Sequence, residues 1–167
     1  TGQEPYSIAI SILENARRST SFKPENFEIV ASDVSPTMIF LASMGKYDGI
    51  AMERGMNPEI RERYFEKSGT GSVWKIKDHV KKMVTFKRHN LQDSFAPLGM
   101  HDVVFCRNVM IYFSEELKRD LFRRLAAALP ADGYLLMGGS EPLVNYSNRF
   151  SMMINGKAIY YKVKSIS

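Results

Sequence analysis

The chain alternates between two hydrophobic periods, one typical of helices and one typical of strands. Apolar residues recur with helical spacing in four segments, and each segment opens with a proline or with a serine or asparagine of the kind that caps helices. Gly45 ends the second segment, and Pro130 with Gly133 ends the fourth, as glycine and proline commonly do. We therefore predict helices over residues 6–18, 36–44, 58–65 and 115–129.

Short apolar runs between these helices predict strands. The runs at 102–106 and 134–137 predict buried strands, and the run at 27–31 ends at Ser32 and Asp33. Residues 73–77 and 84–88 alternate between apolar and charged positions, which is typical of small antiparallel strands. The last two runs flank Asn155-Gly156 and predict a hairpin over 150–154 and 158–163. This order predicts an α/β fold with a mostly parallel sheet, a small antiparallel insertion and a C-terminal antiparallel hairpin.

Polar side chains follow the strand predicted at 102–106, within the stretch FCRNVMIYFS (Phe105 to Ser114). Arg107 and Asn108 come directly after that strand, and strongly polar groups in such a position need partners. Open α/β folds bind ligands at the carboxyl edge of the sheet. The stretch therefore predicts a ligand site. A structural hydrogen-bond network is the alternative for Arg107 and Asn108, and a core ring with a satisfied hydroxyl is the alternative for Tyr112.

Four further positions keep two interpretations each. Asp33 stands where dinucleotide folds place an acidic residue that accepts hydrogen bonds from ribose hydroxyls, and it equally suits a turn before a capped helix. Asn90 follows the strand predicted at 84–88 and either reads an adenine edge, with Leu91 covering the ring, or forms a turn. Thr1-Gly2 either ends a ligand loop or simply enters a helix. Glu4 correspondingly either pairs with a ligand or supplies favourable charge to the first helical turn.

Composition narrows the class of protein further. The 167 residues suffice for one domain, no apolar run is long enough to span a bilayer, and no signal-peptide pattern opens the chain. The single cysteine, Cys106, allows no internal disulfide, which fits a cytoplasmic location. The net charge of +5 is consistent with a mixed surface or with an acidic partner, either nucleic acid or protein. The three histidines show no metal-ligand spacing, so we predict no metal site.

Several segments then occur together in an order that resembles one family. They are TGQEPYSIA at 1–9, ASD at 31–33, RYF at 63–65 followed by GTG at 69–71, NL at 90–91, FCRNVMIYF at 105–113 and GGSE at 138–141. The chain resembles the catalytic domain of CheR-type chemotaxis receptor methyltransferases over nearly all of residues 1–167. The resemblance implies a Rossmann-like class I methyltransferase fold with residues 45–84 as the family's β-subdomain. It also implies a cytoplasmic enzyme that uses S-adenosylmethionine to methylate glutamate side chains of chemoreceptors, with S-adenosylhomocysteine as product.

The resemblance also implies which residues bind the cofactor. Glu4 is expected at the methionine end of S-adenosylmethionine, and Asp33 at the ribose hydroxyls. Asn90 and Leu91 are expected to frame the adenine. Asn108 is expected, together with its neighbour Arg107, to close the cofactor site near the sulfonium.

Arg107 and Tyr112 are the residues to which the resemblance implies catalytic roles. Arg107 is expected to orient either the acceptor carboxylate or the cofactor's own carboxylate, and Tyr112 to steer the glutamate onto the methyl group. A free glutamate has a pKa of about 4.3, so the acceptor is already ionised near neutral pH and no general base is needed.

The expected partner is the acid-rich helical cytoplasmic region of a chemoreceptor. Six basic residues in or beside the insertion are candidates for attracting it, with a solvated surface as the alternative: Arg61, Arg63, Lys75, Lys77, Lys81 and Lys82. Some family members also bind the receptor's C-terminal peptide through the β-subdomain, and the short turn after Gly69 favours a peptide-independent type. Family members carry a helical domain and a first strand ahead of Thr1-Gly2. We therefore expect this chain to begin inside a motif and, as an isolated fragment, to be unstable or inactive.

Two other functions stand against this one. A nucleic-acid methyltransferase would suit the positive charge. However, Arg107-Asn108-Val109 stands where amino-group methyltransferases of that class carry an Asn/Asp-Pro-Pro-aromatic motif, so we expect no nucleic-acid partner. The other alternative is a non-catalytic S-adenosylmethionine-sensing or receptor-binding module of the same fold.

Overall fold

The computed structural model describes residues 1–53, 56–69, 72–139, 141, 143 and 146–164. The chain divides into two compact units, Thr1–Asn90 and Leu91–Ser167. Each unit has its own cluster of buried apolar side chains and its own pair of parallel strands, flanked by helices. The prediction of an α/β fold is therefore confirmed.

The first unit contains two small sheets and five α-helices in its described residues. In chain order the elements are α1 (Gln3–Arg18), β1 (Ile29–Asp33), α2 (Pro36–Met44), β2 (Lys46–Tyr47), α3 (Gly49–Glu53), α4 (Pro58–Tyr64), β3 (Phe65–Lys67), β4 (Trp74–Ile76), α5 (Asp78–Lys81) and β5 (Val84–Arg88). Strand β4 lies between β2 and β3 in an antiparallel sheet, which forms the insertion between α2 and β5. Thr70 and Gly71 of the GTG segment lie outside the described residues.

The prediction that residues 84–88 form an antiparallel strand is wrong. Strand β5 pairs in parallel with β1, with Ile29 opposite Val84 and Asp33 opposite Arg88. Parallel partners need a long crossover connection, and residues 34–83 supply it. The pattern that suggested an antiparallel strand instead reflects a change in burial along β5. Val84 at its start is buried, and Lys87 and Arg88 at its end are exposed.

The second unit contains one four-stranded sheet and a long helix. Its elements are β6 (Val103–Cys106), α6 (Glu115–Ala127), β7 (Tyr134–Met137), β8 (Phe150–Asn155) and β9 (Ala158–Val163). The strand order is β6-β7-β9-β8, with β6 and β7 parallel and the other two pairs antiparallel. The predicted C-terminal hairpin is confirmed, and Gly156 at its turn has a φ of +59°, which favours glycine.

The prediction that residues 102–106 form a buried strand holds for only one face of β6. Cys106 is buried and Val104 packs against the core of the unit, whereas Val103 is 44% exposed and Phe105 is 39% exposed. Successive strand residues point to opposite faces, so an unbroken apolar run predicts burial on both sides. Among the described residues, only the face that carries Val104 and Cys106 is packed against α6 and its neighbours.

Helix boundaries follow the capping residues closely. The side chains of Ser35, Asn57 and Ser114 accept hydrogen bonds from the backbone N–H groups of Met38, Glu59 and Leu117, respectively. Gly45 closes α2 with a φ of +62°. The predicted apolar stripe is buried, with Leu121, Phe122 and Leu125 in α6 and Leu129 just beyond its end. None of the described helices has the length and hydrophobicity needed to cross a membrane.

Candidate active site

Two buried phenols hold the segment that leads into α1. Gly2 caps this helix with a φ of +86°, and a Cβ added there would lie 3.2 Å from both the Ala42 Cβ and the Tyr6 ring. The Tyr6 hydroxyl donates to the Ala42 carbonyl at 3.0 Å, and the Tyr47 hydroxyl donates to the Thr1 carbonyl at 3.3 Å. The TGQEPYS segment is therefore tied to α2 and to β2, and Gly2 has little room for a side chain.

Both phenols keep their protons near neutral pH. Burial raises the pKa of Tyr6 to about 12. Burial, with the neighbouring Tyr6, also raises the pKa of Tyr47 above its ordinary value. Both hydroxyls therefore stay protonated and continue to donate their hydrogen bonds at neutral and mildly alkaline pH.

Glu4 lies in the first turn of α1 and is half-buried. A carboxylate there interacts favourably with the partial positive charge of the helix N-terminus. The same position borders the Thr1-Gly2 segment, so this placement suits both interpretations of Glu4 drawn from the sequence. Its contact with a cofactor stays a prediction.

Asp33 and Asn90 lie at one edge of the β1–β5 pair. Asp33 is the last residue of β1, and its carbonyl accepts the backbone N–H of His89 at 3.0 Å, just beyond the end of β5. The Asp33 Oδ1 accepts the backbone N–H of Ser35 at 2.8 Å, and the side chain is exposed. Asn90 follows His89 and is half-buried. One carboxylate oxygen therefore forms the turn, and Oδ2 accepts no hydrogen bond from the described residues, so binding of ribose hydroxyls by Asp33 stays a prediction.

Leu91 begins the second unit and is held by its backbone. Its side chain packs against the core of that unit. Its carbonyl accepts a hydrogen bond from Arg124 Nη1 at 2.7 Å, and the same nitrogen donates to the carbonyl of Asp93 at 2.8 Å. This fixes the chain immediately after Asn90, where the sequence predicts an adenine-binding segment.

The loop that follows β6 carries Arg107, Asn108 and Tyr112. Arg107 and Asn108 are exposed, and the 3₁₀ turn Met110–Tyr112 presents Tyr112 with 82% of its surface accessible. Asn108 has a φ of +59° and is the only non-glycine residue in the described part of the chain with positive φ. Such a conformation costs energy and persists only where neighbouring contacts hold it.

Glu141 supplies those contacts. Its carboxylate is buried, with Oε2 accepting the backbone N–H of Asn108 at 2.6 Å and of Gly138 at 3.2 Å. Its Oε1 accepts the backbone N–H of Met110 at 2.7 Å. Hydrogen bonds to a charged acceptor are stronger than neutral ones, so this one side chain fixes the loop after β6 against the end of β7.

Gly138 makes this arrangement sterically feasible. A Cβ added at position 138 would lie 2.5 Å from the Glu141 Oε2 and 3.2 Å from the Asn108 backbone nitrogen. The first distance is shorter than any ordinary contact, so a larger residue would displace the carboxylate that Asn108 and Met110 require. Ser140 of the GGSE segment lies outside the described residues.

The GGSE segment is part of the family resemblance, which implies no role for Glu141. The available indication was its position, since a carboxylate four residues after the end of β7 lies at the same sheet edge as Asn108, after the parallel strand β6. The contacts by which Tyr6 and Tyr47 hold the TGQEPYS segment were likewise not predicted. Nothing in the local sequence indicates those contacts, because they join residues 36 and 46 positions apart.

Most of the six basic residues expected to attract a partner are engaged within the first unit. Arg63 pairs with Glu14 at 2.6 Å, and Lys75 lies 3.5 Å from Asp78 and 3.7 Å from Glu66. Lys77 donates to the backbone carbonyls of Glu62 and Arg63, and Lys81 donates to that of Met44. Arg61 lies over the Trp74 ring at 4.9 Å. This cluster is therefore partly neutralised and largely structural.

The candidate residues form two groups, one in each unit. The first contains Glu4, Asp33 and Asn90, and the second contains Leu91, Arg107, Asn108 and Tyr112. Their chemistry fits S-adenosylmethionine, because a carboxylate oxygen suits ribose hydroxyls, and an amide beside an apolar side chain suits adenine. In the described residues no group of three or more His, Cys, Asp or Glu side chains could hold a metal ion.

Comparisons with known proteins assign the class. Residues 1–159 match the family described as "CheR methyltransferase, SAM binding domain". A chemotaxis protein methyltransferase of Vibrio parahaemolyticus is 44% identical over 164 residues, which cover 98% of this chain and 59% of the relative. Chemotaxis protein methyltransferase 1 of Pseudomonas aeruginosa is 42% identical over the same share of this chain and 60% of its own length. The chain thus spans about 60% of the curated relatives it matches.

A solved structure of magnesium protoporphyrin IX methyltransferase from Synechocystis, with bound SAM, matches 83% of this chain and 60% of its own. The identity is 18% and the TM-score 0.47, so this match adds nothing to the assignment, which rests on sequence. The family match over residues 1–159 places the chain in the S-adenosylmethionine-dependent methyltransferase class. The chain belongs to the CheR methyltransferase SAM-binding domain family, as the sequence resemblance predicts.

Proposed function

We propose that this chain is the S-adenosylmethionine-binding domain of a cytoplasmic enzyme that methylates glutamate side chains of chemoreceptors. The observation that carries the proposal is the family match over residues 1–159. Relatives named chemotaxis protein methyltransferases cover 98% of the chain at 42–44% identity and support it. The protein substrate is then the helical cytoplasmic region of a receptor, and nucleic acid is not a substrate.

The chemistry needs alignment more than acid or base groups. S-adenosylmethionine, when bound, supplies a methyl group on a sulfonium. In an in-line displacement the acceptor carboxylate oxygen forms the new bond to this methyl carbon while the carbon–sulfur bond breaks, and the product is a neutral ester. Because a glutamate carboxylate with a pKa of about 4.3 is already ionised at neutral pH, no proton has to be removed. Alignment of two reactants can contribute about 7–11 kcal/mol to catalysis.

Residues of this chain provide that alignment. Asp33 accepts hydrogen bonds from the ribose hydroxyls, while Asn90 and Leu91 hold the adenine. Glu4 contacts the methionine end. The hydrogen bonds of Glu141 to the backbone of Asn108 and Met110 hold the loop after β6 in one conformation, which supports this assignment.

The same loop carries the two groups proposed to act on the acceptor. Arg107 orients a carboxylate, either that of the substrate or that of the cofactor. The exposed ring of Tyr112 guides the glutamate side chain to the methyl group. Replacing Arg107 by Ala in the full-length protein should therefore slow methyl transfer, and transfer at the wild-type rate with unchanged cofactor affinity would remove Arg107 from this role.

Transfer of a radiolabelled methyl group tests the proposed function directly. The full-length protein is incubated with labelled S-adenosylmethionine and either receptor cytoplasmic fragment, duplex DNA or RNA. We expect label on the receptor alone, and we expect it to be released by mild base, as a glutamate methyl ester is. Binding of S-adenosylhomocysteine without any receptor labelling would instead show a sensing or receptor-binding module, and label on DNA or RNA would contradict the substrate class.

A further inference from the structure

A basic cavity lies in the second unit, outside the residues proposed to bind the cofactor. Its volume is about 890 Å³, and α6 and the ends of β8 and β9 contribute to its lining. Four lining residues are cationic, and none of the described lining residues is acidic; the cations are Arg119, Arg123, Arg149 and Lys164. A concave surface with a single sign of charge concentrates ions of the opposite sign.

Two of these cations have only weak partners on their own helix. Arg119 lies 3.5 Å from the Glu115 carboxylate, and Arg123 lies 2.7 Å from that of Asp120. The side chains in both pairs are 44–69% exposed, and pairs of that exposure contribute little to stability. Both guanidinium groups can therefore turn to a carboxylate that enters the cavity.

The other two cations, Arg149 and Lys164, form no ion pair with the described residues. Arg149 and Lys164 lie side by side, because the Lys164 backbone N–H donates to the Arg149 carbonyl at 2.9 Å. The Arg149 Nε is buried and has no acceptor among the described residues, and neither residue forms an ion pair with them. A buried donor without an acceptor is unfavourable, so an anion in the cavity would improve its environment.

The shape and the remaining lining favour protein over nucleic acid as the occupant. Leu143, Phe150 and Met152 form an apolar floor, to which Met152, at 52% exposed, contributes most of the accessible surface because Leu143 and Phe150 are buried. A nucleic-acid duplex presents its phosphates on a broad convex surface and has no apolar side chains for such a floor. A helix that carries both glutamate and aliphatic side chains matches the cations and the floor together.

The basic cavity shares one lining residue with a smaller cavity that the loop after β6 borders. This residue is Tyr146, and the smaller cavity, of about 110 Å³, is bounded by Met110, Ile111 and Glu141. The Tyr146 ring stacks on Phe122 with centroids 6.0 Å apart. Arg149 and Lys164 lie at the amino end of β7, whereas the loop that carries Tyr112 follows the carboxyl end of β6. A helix seated in the basic cavity would therefore contact the protein away from that loop.

We propose that this basic cavity binds a glutamate-rich helical segment of the protein substrate, apart from the glutamate that receives the methyl group. This inference rests on the proposed function and assigns to it a substrate-binding surface. The four cations contact carboxylates of the segment, and Met152 contacts its aliphatic side chains. The cavity therefore contributes to substrate affinity and leaves the chemical step unchanged.

Steady-state kinetics of the full-length protein with receptor fragment test the inference. The double variant Arg123→Gln/Lys164→Gln removes two exposed cations of the cavity. We expect its KM for receptor to rise about three- to tenfold, the range for loss of two partly exposed charge pairs, with kcat and S-adenosylhomocysteine affinity unchanged. The matched control Lys23→Gln/Lys157→Gln removes the same charge from exposed positions outside the cavity and should keep the wild-type KM.

Two further measurements separate the inference from its alternatives. The charge-preserving variant Arg123→Lys/Lys164→Arg should keep KM within about twofold of wild type. A synthetic helical peptide of glutamate, leucine and alanine, about 20 residues long, should bind wild type more tightly than the Gln/Gln variant. This binding is measurable even if the protein methylates no receptor, so failure of the proposed function is seen separately. An equal loss in the control variant, or a cavity that binds duplex DNA and not the peptide, would overturn the inference.

Discussion

The buried carboxylate of Glu141 organises the candidate site at the level of a single residue. It accepts three backbone N–H groups, from Asn108, Met110 and Gly138, and so holds a loop in which Asn108 has positive φ. In Glu141→Gln one oxygen becomes an amide nitrogen, which cannot accept, and the charge is lost. We expect the free energy of unfolding to fall by about 2–3 kcal/mol, as measured by urea denaturation at neutral pH.

A matched control distinguishes this effect from a change in net charge. Glu28→Gln alters the same charge at an exposed position and should change the free energy of unfolding by less than about 0.5 kcal/mol. Glu141→Gln should also weaken S-adenosylhomocysteine binding, because Arg107 and Asn108 would no longer be held in place. If Glu141→Gln matched the control in both measurements, the carboxylate would not be what holds the loop.

The two oxygens of Asp33 allow a substitution that separates its role in the turn from its proposed role at the ribose. In Asp33→Asn the remaining oxygen can still accept the Ser35 N–H, so the turn before α2 is preserved. The second acceptor and the negative charge are lost, and both are needed for ribose hydroxyls. We expect S-adenosylhomocysteine affinity of the full-length protein to fall about 10- to 100-fold by calorimetry, with an unchanged melting temperature. An unaltered affinity, or the same loss in the exposed control Asp102→Asn, would leave Asp33 as a turn residue only.

At the level of elements, Glu14 joins α1 to α4. Its Oε1 accepts from Arg63 Nη1 and from the Tyr64 hydroxyl, both at 2.6 Å. The hydrogen bonds from Tyr64 and Arg63 hold the pKa of Glu14 below its ordinary value. Burial and the bond to Glu14 raise the pKa of Tyr64 to about 12. One carboxylate thus connects the first helix to the helix that leads into the small antiparallel sheet.

These pKa shifts predict the pH range in which the connection contributes to stability. A carboxyl group whose pKa is lowered by folding stabilises the protein above its unfolded pKa of about 4.3 and loses that contribution as pH falls through the lower folded value. Glu14→Gln should therefore be less stable than wild type at pH 6–8, and the difference should shrink below about pH 4. Thermal unfolding across pH checks this against Glu28→Gln, and a difference that stays constant down to acid pH would contradict it.

The elements show which parts of the fold the sequence could predict. Capping side chains act within three or four residues of themselves, so Ser35, Asn57 and Ser114 predicted helix starts correctly. Pairing direction is a property of two distant segments, so the local alternation in β5 gave the wrong partner geometry. The apolar run of β6 likewise could not show that one of its faces is uncovered in the described residues.

The candidate site divides in the same way between local and distant contacts. Arg107 and Asn108 follow β6, and Asp33 ends β1, so sequence order alone could place them at sheet edges. The acceptor for the Asn108 backbone lies 33 residues away, and only the parallel register of β6 and β7 brings Glu141 to it. The resemblance supplied the cofactor, whose identity neither composition nor spacing could have given.

At the level of the whole molecule, the net charge is +5, and the basic side chains differ in how far they are already paired within the protein. The basic residues around the small antiparallel sheet are largely used in internal contacts, with Arg63 paired to Glu14 and Lys75 beside Asp78 and Glu66. The basic cavity of the second unit keeps Arg149 and Lys164 without ion pairs among the described residues. Attraction of an acid-rich receptor segment is therefore expected to depend on exposed charge, which salt screens.

That expectation gives a prediction for the complete reaction. The screening length falls from about 30 Å at 0.01 M salt to about 8 Å at 0.15 M, so long-range attraction between receptor and enzyme should weaken over this range. We expect kcat/KM for receptor to fall about three- to tenfold between about 20 and 200 mM NaCl, with kcat at saturating receptor unchanged. The affinity for S-adenosylhomocysteine, measured in the same buffers, serves as the control and should stay constant. If kcat/KM were independent of salt, the positive charge would have no part in the encounter, because apolar contacts alone would then account for receptor binding.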